Sequence, residues 1–207
     1  MYSFKNILFD LGAVLINIDP KNAQKYFASL GIHDYEFHFN KLSEKNIFND
    51  LETGKISPDQ FLNSINIQLK GAASENDIKN AWNAILMDFR AESMKHVSLL
   101  SQRYNVYLLS NTNAIHLIEI NQILFKQLGV ALLDNYFKKA YYSQLIGMRK
   151  PEAEIYQYVL KDAGIIAQET FFIDDLSVNI ETAQRLGFKT HLLLPDQRIE
   201  KLEILQL

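Results

Sequence analysis

Six polar residues stand at the ends or in the middle of short apolar runs, and their types suit one chemistry. NILFDL carries a single carboxylate, Asp10; YLLSN closes on Ser110 and Asn111; RKP presents Lys150; FFIDD closes on Asp174 and Asp175. An ionised carboxylate inside an apolar run costs several kcal/mol unless a paired charge, a metal or dense hydrogen bonding compensates it. Three carboxylates drawn into one crevice repel each other and need a cation. Mg²⁺ suits them, because it takes hard oxygen ligands and leaves room for waters and a phosphate oxygen. Lys150 would add a second positive charge for a phosphoryl group to bridge. Ser110, Asn111 and the backbone N–H groups beside them would bind the remaining phosphate oxygens. Attack by Asp10 on a phosphoryl group would give an aspartyl phosphate, a form of carboxylate nucleophilic catalysis.

The elements that must bring these residues together follow from the hydrophobic pattern. NILFDL reads as a buried strand running into a turn at Gly12. IDPKNAQKYFASLG then has Asp19 as N-cap, Pro20 at the first helical position and Gly31 as the stop. Ser57 with Pro58, and Ser74 with Asp77 three residues on, open two further helices. No strand is expected between Asp19 and Phe89, which predicts an all-helical unit. From Ala91 onward short β-rich runs (YNVYLLSN, FKKAYYS, TFFIDD, KTHLLLP) alternate with helical stretches. That rhythm predicts a Rossmann-like, doubly wound parallel α/β sheet with helices on both faces. The expected division is a discontinuous core, residues 1–16 and 91–207, interrupted by a helical cap at 17–90. In an open parallel sheet the carboxyl ends of the strands line one crevice, where all the polar residues named above would meet.

Composition narrows the partners. The 207 residues carry 21 basic and 24 acidic side chains, a net charge of −3, with no basic block of the kind that tracks nucleic acid or anionic lipid. Neither nucleic acid nor membrane is an expected partner, and the N-terminus resembles neither a signal peptide nor a membrane span. A cytoplasmic location is the expectation. With no cysteine, disulfides and thiolate ligands are excluded, so a metal must be held by oxygen or imidazole. The five histidines, 33, 38, 96, 116 and 191, lack metal-ligand spacing.

Taken in order, FDLGAVL, LLSNTN, GMRKPEAEIY and FFIDDLSVNI resemble the four motifs of the haloacid dehalogenase-like hydrolase superfamily, and the helical insertion resembles its small helical cap. LSNTN, GMRKPEAEIYQ and the DD…NI ending are further similar to bacterial phosphatases acting on α-D-glucose 1-phosphate and related sugar phosphates. The resemblance implies a Mg²⁺-dependent phosphatase of a small phosphorylated metabolite. Asp10 would be nucleophile and metal ligand, Ser110 and Asn111 would bind phosphate, and Lys150 would neutralise nucleophile and phosphoryl group. Asp175 would ligate Mg²⁺, with Asp174 a second ligand or an orienter, and Gly12 would offer its backbone carbonyl. Most phosphatases of the superfamily place a general acid/base aspartate where this chain has Gly12. A slow enzyme, or one favouring good leaving groups, is therefore expected.

Two other readings compete. Ester formation on Asp10 in carbon–halogen hydrolysis needs no metal, which the Asp174–Asp175 pair argues against. A module that binds phosphate or a partner without turnover is kept alive by Gly12. Among neighbouring residues, Thr112 and Asn113 read as local caps, Arg149 as a surface or substrate group, and Asn179 as support for the metal shell. The bend in LETGKISPDQF, with Glu52, Gly54 and Lys55, reads either as a loop facing the crevice or as an ordinary helix connection. Trp82, Phe89, Tyr35, Phe37 and Phe39 are expected in the core.

Overall fold

The computed structural model describes residues 4–32 and 47–206. Tyr35, Phe37, Phe39, His33 and His38 lie outside them.

Five parallel strands build the central sheet: β1 (Asn6–Phe9), β4 (Asn105–Ser110), β5 (Lys139–Tyr142), β6 (Thr170–Asp174) and β7 (Lys189–Leu192). Their spatial order is β5-β4-β1-β6-β7, so the chain leaves β1 toward opposite edges and the order reverses beside it. That switch point opens a crevice at the strands' carboxyl ends. The unbroken apolar runs are explained by burial on both faces. Ile7, Phe9, Val106, Leu108, Phe171 and Ile173 point into one core, with α5 (Ala91–Leu100) and α6 (Ala114–Leu128) packed on it. Leu8, Tyr107, Leu109 and Phe172 point into the other, covered by α8 (Ala153–Ala163) and α9 (Ser177–Arg185). Alternate residues of one strand thus serve two cores, as a period of two requires.

Between β1 and α5 come α1 (Pro20–Ser29), α2 (Ile47–Glu52), α3 (Pro58–Gln68) and α4 (Glu75–Asn83). Their starts follow the sequence. Asp19 accepts from the Lys21 amide, and Ser57–Gln60 and Ser74–Asp77 form reciprocal capping boxes. The apolar faces meet in a cluster of their own around Phe27, Phe48, Phe61, Leu62, Ile78 and Trp82. One expectation is corrected. This stretch is not free of strands, because β3 (Leu86–Phe89) pairs antiparallel with β2 (Ile16–Ile18) in a two-stranded ribbon. LMDF runs on from the apolar pattern of α4, and its four residues acquire strand character only from the partner across the ribbon. Backbone bonds from Asp19 to Ile85 and from Arg90 to Leu15 close the neck at both ends.

Candidate active site

Register places the carboxylates. Phe9 of β1 pairs with Ile173 of β6, and the Asp10 amide donates to the Ile173 carbonyl at 2.9 Å. Asp10 and Asp174 therefore leave adjacent strands at one level. Lys150 enters between them, its Nζ 2.6 Å from Asp10 Oδ1 and 2.6 Å from Asp174 Oδ2. The ammonium side chain is only 2% exposed, so it is a buried charge that persists through these two partners. Burial alone would lower its pKa, but Asp10 and Asp174 outweigh that and raise it above the ordinary lysine value.

Several neighbours hold this triad. Asn111, one residue past β4, clamps the Lys150 main chain at both ends: its Nδ2 donates to the Lys150 carbonyl and its Oδ1 accepts from the Lys150 amide, each at 2.9 Å. The side chain expected to bind phosphate thus holds the lysine main chain, and it also lines the cavity that holds Asp10 and Lys150. Asp174 has its other oxygen engaged too, accepting from the Leu176 amide and from Asn179 Nδ2. Ser143, which the sequence reading passed over, accepts from the Thr112 amide and donates to its carbonyl, fixing the turn after Ser110. Isolated serines at strand ends carry no signal of their own, so only the fold exposes this role.

Asp10, Asp174 and Asp175 offer oxygens within 4.8 Å of one another. Burial, the largest cause, pushes the Asp10 carboxyl up to about 7; Lys150 pulls it down, and Asp174 and Asp175 push it up again. One lysine does not balance three carboxylates, and this excess of negative charge among oxygen donors fits a divalent cation.

Asp10, Gly12, Ser110, Asn111, Lys150 and Asp175 line one cavity of about 420 Å³, while Asp174 stands behind Lys150 with no exposed surface. The opposite wall comes from the ribbon and the inserted helices: Ile16, Ile18 and Leu86, with Glu52 and Trp82. Trp82 is buried, as expected for core, yet also reaches this cavity, stacked on His116 at 4.6 Å. Burial lowers the His116 pKa to about 4. Arg149, beside Lys150, bonds Asn49 and Glu52 of α2.

The family described as haloacid dehalogenase-like hydrolase matches residues 38–193. That span covers more than half of the chain. The chain belongs to the haloacid dehalogenase-like hydrolase family. The matched span begins after Asp10, which a likeness over 99% of the chain includes. A D-ribitol-5-phosphate phosphatase from Bacteroides thetaiotaomicron is 35% identical over 90% of this chain and 90% of its own. A sesquiterpene phosphatase from Aspergillus oryzae is 29% identical over 99% and 97%. A wild-type family enzyme from Bacteroides thetaiotaomicron, crystallised with magnesium and inorganic phosphate, superposes with a TM-score of 0.88 at 36% identity, covering 95% of this chain and 98% of that one. Both relatives named above are phosphatases, and a structural relative at 36% identity was crystallised with magnesium. None of these three is named for α-glucose 1-phosphate, so that narrower resemblance gains no support from them.

Proposed function

We propose that this chain is a Mg²⁺-dependent phosphatase of a small, hydroxyl-bearing phosphomonoester, with a pentitol phosphate a better first substrate than α-glucose 1-phosphate. The observation that carries this reading is Lys150 held at 2.6 Å from both Asp10 and Asp174 at the floor of the cavity, with Asp175 beside them. A carboxylate so placed is aimed and charge-balanced for attack on phosphorus.

In this reading Asp10 is the nucleophile, and its attack expels the leaving oxygen and forms an aspartyl phosphate that water then hydrolyses. Asp10, Asp175 and the Gly12 carbonyl would hold Mg²⁺, which when bound supplies charge neutralisation at the phosphoryl oxygens. Asp174 orients Lys150, supported by Asn179. Lys150 neutralises Asp10 and the transferring group, and Ser110 binds a phosphoryl oxygen. Residues 17–90 act as the cap over the cavity and residues 1–16 and 91–207 as the core.

Phosphate release from D-ribitol 5-phosphate, α-glucose 1-phosphate and a terpenoid phosphate, with Mg²⁺, with EDTA and with Asp10→Asn, tests this. Release that requires both metal and Asp10 supports the proposal. Release that survives EDTA or Asp10→Asn rejects it, and tight phosphate binding without turnover would favour the binding module.

A further inference from the structure

We propose that Arg149 and Glu52 form the subsite that reads the leaving group, and that they select a neutral, hydroxyl-bearing one over a second phosphate or a hydrocarbon. This rests on the phosphatase reading and deepens it. Glu52 closes α2, and Arg149 directly precedes Lys150. Arg149 Nη2 lies 2.9 Å from Glu52 Oε2, and Nη1 donates to Asn49 Oδ1 at 2.8 Å. Both charged side chains are largely buried, 15% and 22% exposed, and both line the cavity that holds Asp10 and Lys150. They are not an ordinary surface pair.

One donor of this fork is left over. Arg149 Nε is buried with no hydrogen-bond acceptor among the described residues. Native proteins leave few such groups, and one on a side chain that lines the cavity points to an acceptor that arrives with the ligand. The chemistry of that acceptor follows from its neighbour. A hydroxyl can accept from Arg149 Nε and donate to a Glu52 oxygen at once. A second phosphate would meet the Glu52 carboxylate and be repelled. A hydrocarbon would desolvate the pair and leave Arg149 Nε without an acceptor. The Ile16, Ile18 and Leu86 wall meanwhile accepts the carbon chain.

The test compares kcat/KM for D-ribitol 5-phosphate, n-pentyl phosphate and a pentitol bisphosphate in the wild type, Arg149→Gln, Glu52→Gln and Arg149→Lys, with thermal melting to confirm folding. Arg149→Lys keeps a cation beside Glu52 but removes the Nε–H, so it serves where Arg149→Gln fails to fold. The wild type is expected to prefer the pentitol phosphate over pentyl phosphate by at least about 100-fold, since a site built to bond a hydroxyl strongly rejects its deoxy analogue. Each variant is expected to shrink that ratio by at least about tenfold, as expected for the loss of one buried hydrogen-bond partner, and Glu52→Gln is expected to admit the bisphosphate better. A ratio within about twofold of wild type in the folded variants would overturn the proposal, as would equal losses on both monophosphates, the mark of a residue that only positions Lys150. If the wild type releases phosphate from none of the three, the phosphatase reading falls and this subsite with it.

Discussion

A Cβ placed on Gly12 would find its nearest neighbour, Ile18 Cδ1, at 3.5 Å, and the backbone there lies outside the left-handed region. Neither packing nor conformation demands glycine at this position. On the proposed phosphatase reading, the absence of an acid/base there is then a matter of chemistry and not of packing, and Gly12→Asp is expected to fold and to raise kcat. General acid–base help is worth ~10²–10⁴, so a gain of at least about tenfold is expected on phosphate esters with poor leaving groups; no gain in a folded variant would mean that proton delivery is not limiting. Lys150 makes the opposite case. Lys150→Met strands Asp10 and Asp174 in the interior, at a cost of about 3–5 kcal/mol, measured by urea unfolding in EDTA, with part regained on adding Mg²⁺. At this scale residue types made legible the grouping of Asp10, Asp174, Asp175 and Lys150, charged groups at apolar strand ends that need one another. The Asn111 clamp was not legible, because an amide reads the same whether it faces a ligand or a main chain, and the two 2.9 Å bonds to Lys150 appear only in the fold.

The elements were readable in proportion to their local signals. α3 and α4 announce their starts through capping boxes that form as written in the sequence, and β1, β4 and β6 through apolar runs too dense for one buried face. β3 has no local signal, and its existence depends on β2, some seventy residues away. The bend after α2 is a further long-range feature. Gly54 has φ +65°, and a Cβ there would lie 2.4 Å from the Gln144 carbonyl oxygen, on the short helix α7 (Ser143–Ile146). Gly54→Ala must strain the turn and push the two segments apart, at about 1–3 kcal/mol. Because Glu52 would move with the bend, KM should rise together with the loss in melting temperature. A KM unchanged in a destabilised variant would detach this bend from substrate binding.

At the scale of the whole molecule, two buried groups among the described residues oppose each other in pH. With metal removed, Asp10 keeps its proton up to about 7 when folded and to 3.8 when unfolded, so between these values its contribution to stability falls as pH rises. His116 titrates near 4 folded and 6.5 unfolded, so its contribution rises with pH over nearly the same window. The slopes are each about 1.4 kcal/mol per pH unit and of opposite sign, and the lowered carboxyls of Asp77 and Asp162 act below this range. Metal-free protein should therefore show nearly flat stability from pH 4.5 to 6.5. Asp10→Asn, or saturating Mg²⁺, should unmask a rise with pH; urea unfolding across this window checks it, and a slope unchanged by Asp10→Asn would contradict the assignment. Trp82 allows a further reading of the same seam. It is the chain's one tryptophan, wedged among Phe48, Phe61 and His116 with its indole N–H on Asn113, where the inserted helices meet α6. The molecule thus carries its single indole fluorophore against the cavity wall, and selectively excited tryptophan emission is expected to follow binding and release in real time without a label.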